Sequence, residues 1–379
     1  MLFLSSLLHG GTERQAVVLA RELARRGHAV HIVVQYEGGS FAAELASSGI
    51  EYSDLMKRGR YDLIKPYARL VRLIREWRAD ILYSFLPTQN IVAATIAPLL
   101  GECRLVLGVR AAGMQLDDYD WLAKLAYRIE ALAARRAALV IANSKAGLEW
   151  CYGRGFPRDK LKWVPNGIDV GRFRPDPDAR TAVRRKLGIA EGQRLVALIG
   201  RLDVMKDHPN FLRAASRLVD RDPEMVFVCA GNGSTEYQMR LRAISSDLGV
   251  EQRMVWLPAQ DDVAKFMCAV DVSVLSSAFG EGFPNVVAES MACGVPVAAT
   301  DVGDCREILK GLLPVAPPRS PEALADLILA VVQRDGVELR GALRERVVSH
   351  YDERTLGDNA EALLMQVCAA GNAGTGLSD

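Results

Sequence analysis

Residues 164–169 read Val-Pro-Asn-Gly-Ile-Asp, and they interrupt a rhythm that otherwise runs through the chain. Asn166-Gly167 behind Pro165 is turn chemistry: proline presets its own φ, and glycine accepts backbone angles closed to other residues. A Pro-dotted stretch, FRPDPD (173–178), follows. Before the break come five strand-like runs, LFLSSLL (2–8), AVHIVVQ (29–35), ADILYSF (79–85), RLVLGV (104–109) and ALVIAN (138–143), each followed by an amphipathic helical pattern. After it the alternation restarts with LVALIGR (195–201), MVFVCAG (225–231), RMVWLP (253–258), VDVSVLS (270–276) and GVPVAAT (294–300). Strands that alternate with helices favour parallel pairing, because the helix carries the chain back to the starting end of the sheet. The expected fold class is α/β, with two doubly wound Rossmann-like domains facing a cleft and ligands at the carboxyl ends of the strands.

The boundary at the turn gives a first domain over 1–167 and a second over 168–352. Past Val315 the pattern is helical only, up to about Cys368. Residues 353–368 are expected as a C-terminal helix crossing back to the first domain, and 369–379 (AAGNAGTGLSD) as a disordered tail. A length of 379 residues exceeds what one hydrophobic core usually serves, and an apolar share of 50% suffices for two.

The net charge of +1 conceals an asymmetry: residues 1–170 hold 23 Lys/Arg against 17 Asp/Glu, and the remainder 24 against 29. An excess that small argues against nucleic acid as a partner, but it suits a first half that leans on an anionic membrane surface. Seven cysteines without a C-x-x-C pair argue against a disulfide framework and a zinc ribbon, which fits a reducing cytoplasmic setting. No run approaches the ~18–20 apolar residues of a spanning helix. LFLSSLL lacks a basic leader, and the GGTERQ behind it reads as a strand-to-helix turn rather than a cleavage site. A membrane is therefore expected to be touched peripherally, on its inner face.

Chemistry concentrates in EGFPNVVAES (281–290). Gly280 and Gly282 loosen the backbone around Glu281, and Pro284 suits a helix start, so Glu281 precedes the helix while Glu289 lies more than one turn inside it. Two carboxylates so placed meet different parts of one extended ligand. The N–H groups of the first turn, Gly282 to Asn285, add an anion or hydroxyl site. Arg201, directly after the strand LVALIG, and Lys206 sit at a strand-to-helix turn and suit a diphosphate, although the same pair also reads as surface charge. Gly231-Asn232-Gly233 lacks the third glycine of a dinucleotide fingerprint, but it lets backbone approach a ligand.

Taken in order, GGTERQAVVLARELARRGH, VPNGID, GRLDVMKDH, AGNGS and EGFPNVVAESMACGVPVAATDVGD resemble glycosyltransferase family 4, whose members have the two-domain GT-B fold. The resemblance spans roughly residues 2 to 350, and it is the set of motifs that is specific. It implies transfer of a hexose-type sugar from a nucleotide diphosphate donor, UDP- or GDP-linked, with retention of anomeric configuration and without a metal or other cofactor. The acceptor it implies is a glycan or a lipid-linked glycan in cell-surface polysaccharide or glycolipid assembly. By the same resemblance Arg201 and Lys206 hold the diphosphate, Glu281 faces the sugar hydroxyls, and Glu289 accepts from the ribose. Gly282, Phe283, Pro284 and Asn285 touch sugar and phosphate through their backbone, Gly10 and Gly11 form a close-approach loop, and Gly231, Asn232 and the loop from Pro258 lie near the donor.

Many relatives carry a histidine in the first domain near the reacting sugar; here no histidine follows a mid-domain strand. Arg110, after RLVLGV, occupies about that region and is expected to contact the acceptor or a phosphate, with His9 a second candidate beside the glycine pair. Paired acids also suit a glycosidase, but the cations oppose it. Sugar-nucleotide epimerase or hydrolase chemistry on the same scaffold, and an inactive binding subunit, are the remaining alternatives. Asp118-Tyr119-Asp120 has the form of a metal-binding D-x-D, yet it precedes a helical pattern and reads as a cap. Lys65, Arg69, Arg72 and Arg75 share one helix face opposite Leu70, Leu73, Ile74 and Trp77, either a solvated face or a seat on anionic lipid.

Overall fold

The computed structural model describes residues 1–8, 10–59, 61–115 and 121–374. These form two compact units, Met1–Gly167 with Glu353–Asp379, and Ile168–Asp352.

The first unit holds a seven-stranded sheet of β1 (Leu2–Leu4), β2 (His31–Val34), β3 (Glu51–Asp54), β4 (Ile81–Phe85), β5 (Arg104–Val109), β6 (Leu139–Ala142) and β7 (Leu161–Trp163). The order is β3-β2-β1-β4-β5-β6-β7 and every pairing is parallel, from Leu2 opposite Ile32 to Val140 opposite Leu161. Side chains alternate across this sheet, and β1 and β2, apolar at every position except His31, are buried on both faces. Leu2, Leu4, Ile32 and Val34 join one core layer, and Phe3 and Val33 join the other.

The helix Glu353–Gly374 belongs to this unit. Leu356, Ala360 and Leu364 recur at helical spacing and enter the same layer as Leu2 and Leu4. Arg21 of the helix Gly11–Arg25 and Arg26 just after it pair with Glu353 at 2.8 Å and Asp358 at 2.6 Å, fixing the register of the C-terminal helix. The helix continues through 369–374, where the sequence reading begins the tail. Ala369 and Ala370 extend a helix already nucleated, and extension costs far less than initiation.

The second unit has six parallel strands, β8 (Arg194–Ile199), β9 (Met225–Ala230), β10 (Met254–Leu257), β11 (Val272–Leu275), β12 (Val297–Thr300) and β13 (Val315–Ala316), ordered β10-β9-β8-β11-β12-β13. One continuous core runs through it. In both sheets the chain leaves the first strand to one side and later returns to its other side. This opens a crevice between the carboxyl ends of β1 and β4 in one unit, and of β8 and β11 in the other.

Candidate functional site

In the second unit the crevice is furnished from both flanking strands. After β8, Gly200 and Arg201 lead into a tight turn, Val204–Lys206, and then the helix His208–Val219. Asp207 between them adopts a left-handed φ of 46°, and its carboxylate accepts from the Asn210 N–H. After β11, Ser276 donates through Oγ to the Lys206 carbonyl at 2.6 Å, and the Ala278 N–H donates to the Met205 carbonyl at 2.9 Å. These bonds tie the two loops together, and Lys206 Nζ donates to Glu281 Oε1 at 2.6 Å.

Glu281 is 7% exposed and accepts a second bond at the same oxygen, from Ser277 Oγ at 2.6 Å. Ser277 is held in turn, its carbonyl accepting from Thr300 Oγ1 at 2.7 Å. Behind Glu281, Gly303 has φ +57°, and a Cβ there would lie 2.4 Å from the Gly282 carbonyl oxygen. The Asp304 N–H donates to that carbonyl. The carboxylate is therefore fixed from its own turn, from β12 and from Lys206. Sequence reading singled out Lys206 and Glu281 but passed over Ser277, Gly303 and Asp304, whose only signal was small or turn-forming residues directly after a strand.

The helix of the acidic motif runs Asn285–Ala292. Pro284 caps it from an extended conformation instead of occupying its first turn, because Phe283 beside it is anchored in the core, its ring 5.2 Å from Tyr351. Gly282, Phe283 and Pro284 are buried and Asn285 is half-buried. Asn285 and Glu289 both make further contacts of their own within the protein, and Glu289 is 5% exposed.

Arg201 is exposed and makes no ion pair with Glu281 or with any other described residue, so the structure gathers Lys206 with Glu281 but leaves Arg201 apart at the end of the same strand. Gly231 follows β9; a Cβ there would lie 1.8 Å from the Gly200 carbonyl oxygen, which fixes glycine by sterics. Asn232 accepts at Oδ1 from the Ala259 N–H, beside Pro258 after β10.

His208 is buried, and burial first, then the Lys206 charge, push its pKa down to about 4, so it is neutral.

In the first unit, Gly10 caps the helix Gly11–Arg25 in an extended conformation, at the carboxyl side of β1. A Cβ on Gly10 would meet the Glu13 carboxylate. Arg110 follows β5, with Nη1 donating to Asn166 Oδ1 at 3.1 Å and Nη2 to the Tyr83 hydroxyl at 3.2 Å. Its guanidinium lies 4.6 Å from the centre of the Phe85 ring. His9 and Asp118-Tyr119-Asp120 lie outside the described residues. Among the described residues no three His, Cys, Asp or Glu side chains are grouped as metal ligands, and no helix is long and apolar enough to cross a membrane.

Residues 9–172 match the sequence profile described as Glycosyltransferase Family 4, and residues 179–348 match that described as Glycosyl transferases group 1. A D-inositol 3-phosphate glycosyltransferase of Nocardia farcinica is 33% identical over 230 residues, covering 57% of this chain and 49% of the relative. The chain thus spans about half the length of the relatives it matches in sequence. Anabaena HepE, solved in complex with UDP-glucose, superposes with a TM-score of 0.86 at 23% identity, over 96% of this chain and 99% of that one. WaaG, a glycosyltransferase involved in lipopolysaccharide biosynthesis, does so with a TM-score of 0.69 at 19% identity, over 99% and 100%. The fold shared with these proteins is GT-B.

Proposed function

Because the chain belongs to the glycosyltransferases of family 4 and group 1, we propose that it moves a hexose-type sugar from a nucleotide diphosphate sugar, UDP- or GDP-linked, onto a glycan or lipid-linked acceptor, with retention of configuration. The observation that carries this reading is the Lys206–Glu281 contact at the β8/β11 crevice. A cation and a carboxylate held there side by side suit the two ends of a sugar diphosphate, one charged and one hydroxylated.

In this reading Lys206, with Arg201, holds the diphosphate and offsets the charge that grows on it as the sugar leaves. Glu281 accepts from the sugar hydroxyls, and Glu289 accepts from the ribose. Gly231, Asn232 and Pro258 border the donor, and the backbone from Gly282 to Asn285 faces sugar and phosphate. Gly10 and Gly11 of the first unit are assigned to the donor-binding set, and that unit takes the acceptor. No side chain is assigned as a covalent nucleophile: leaving-group stabilisation with front-face attack does the chemistry, without a metal. The setting is polysaccharide or glycolipid assembly on the cytoplasmic side of the membrane.

A peripheral seat on anionic lipid is a second element of the proposal. The helix Ile64–Glu76 exposes Lys65, Arg72 and Arg75, and Tyr61, Leu63 and Ile64 at its start are exposed apolar residues. Cations beside apolar groups match an anionic headgroup layer over acyl chains.

Thermal shift against UDP-, GDP- and ADP-sugars tests the donor assignment, since a ligand that binds only the folded state raises the melting temperature. One of them should do so, and Lys206→Ala should remove the shift and lower turnover more than tenfold with the fold intact. Near-full turnover in that variant refutes the assignment. Rapid donor turnover without acceptor would favour a hydrolase or epimerase instead.

A further inference from the structure

The first unit contains a cation that no described residue neutralises. Arg110 stands at the carboxyl end of β5, and its two side-chain bonds go to neutral groups, the Asn166 amide and the Tyr83 hydroxyl. Its Nε is buried and unpartnered. No described carboxylate pairs with it, whereas Arg21, Arg26, Arg154, Arg180 and Arg184 all have acidic partners. Burial pushes its pKa down, against a smaller opposing pull from Tyr83. Arg110 is half-buried, and a partly desolvated guanidinium without a described counter-charge carries a cost that is relieved when an anion docks on it.

A second observation adjoins the first. Asn143, at the end of the neighbouring strand β6, is 3% exposed and its backbone N–H donates to the Val109 carbonyl, one residue before Arg110. Its side-chain Oδ1 is buried and accepts nothing. A fork of N–H donors next to an idle carbonyl matches a ligand with an oxyanion and a hydroxyl.

We propose that Arg110 and Asn143 form an acceptor subsite for a sugar or polyol carrying an anionic group, a phosphate or a carboxylate. Arg110 takes the oxyanion and Asn143 accepts from an adjacent hydroxyl. The assignment of this ligand as acceptor rests on the transferase reading above; the anion site itself does not. A neutral acceptor would leave the half-buried guanidinium without charge compensation, so the site discriminates by charge.

The test is calorimetric titration of the full chain, saturated with UDP to occupy the donor site, using glucose 6-phosphate, glucuronate and glucose as probes. At least one anionic probe should bind more than tenfold tighter than glucose, and the tighter of the two tells phosphate from carboxylate. Arg110→Gln should abolish that preference while the protein stays folded and keeps its UDP affinity, and Arg110→Lys should keep part of it. Equal binding of the three probes to the wild type, or an unchanged preference in Arg110→Gln, overturns the inference. Should UDP fail to bind, GDP takes its place; if neither binds, the donor assignment falls, and the same titration without nucleotide still decides the anion site.

Discussion

Replacing Glu281 by Gln separates the two halves of the crevice, because it removes the counter-charge of Lys206 while keeping the side-chain shape. The Lys206 Nζ to Glu281 Oε1 bond of 2.6 Å joins side chains only 14% and 9% exposed, and a charge-assisted bond of this kind is worth about 1.5–3 kcal/mol. A diphosphate that must compete with Glu281 for the ammonium gains about that amount once the carboxylate is gone. At ~1.4 kcal/mol per decade, UDP, or whichever nucleoside diphosphate the wild type prefers, should bind about tenfold tighter or more. Turnover should move the other way and fall more than tenfold, because the amide is a poorer acceptor for the sugar hydroxyls. Without ligand the variant loses about 3 kcal/mol by leaving an ammonium unpaired in a buried position. For a unit of this size that corresponds to a melting temperature lower by about 6–12 °C, and diphosphate should restore more of it than it adds to the wild type. Calorimetry, thermal melting and steady-state turnover read the three quantities. Equal diphosphate affinity in a folded Glu281→Gln variant would refute the idea that the carboxylate and the diphosphate share Lys206.

His208 gives a pH signature. Its folded-state pKa of about 4 lies below its ordinary value of 6.5, so the unfolded chain takes up the proton first as the pH falls. Its contribution to stability is complete above ~6.5 and is lost towards pH 4, amounting to about 3 kcal/mol. His208→Leu should flatten the melting-temperature profile over that interval, and an unchanged slope would show that other groups set it. On the lipid side, sedimentation with vesicles rich in anionic lipid should carry down the wild type, and charge reversal at Arg72 and Arg75 should reduce it severalfold; equal sedimentation of both removes the membrane element.

What the sequence revealed follows from where each element sits. The strands buried on both faces were legible as apolar runs: β4 begins Ile81-Leu-Tyr and β9 is Met225 to Ala230 without a charge. The strands that escaped notice, β3 (EYSD), β7 (LKW) and β13 (VA), are all edge strands, half exposed or only two residues long, and edges carry no continuous hydrophobic pattern. Lys206 and Glu281 stood out because charge is conspicuous in an apolar setting. Their support was less legible: Thr300 reaches the Ser277 carbonyl and Gly303 packs on the Glu281 backbone only after β11 and β12 are laid side by side, and Ser277, four residues before Glu281, carried no signal of its own. Arg110 was visible as a cation after a strand, but that no described carboxylate pairs with it is a property of space and not of spacing.

The chain passes out of the first unit after Gly167 and re-enters it at Glu353, and the two crossings lie side by side. A Cβ on Gly167 would come within 2.7 Å of the Glu353 Cα, and Ile168 bridges to Asp352. Gln15 grips the Gly167 peptide at both its N–H and its carbonyl, at 3.0 and 2.8 Å. The second unit is thus an insertion in the loop of the first, and vectorial synthesis meets the consequence. When the ribosome has completed residue 167, the apolar face that Leu356, Ala360 and Leu364 will cover is still bare, and it stays so until the whole insert has emerged. A fragment ending at Gly167 should be aggregation-prone, whereas 168–352, with its core complete, is the part to express alone.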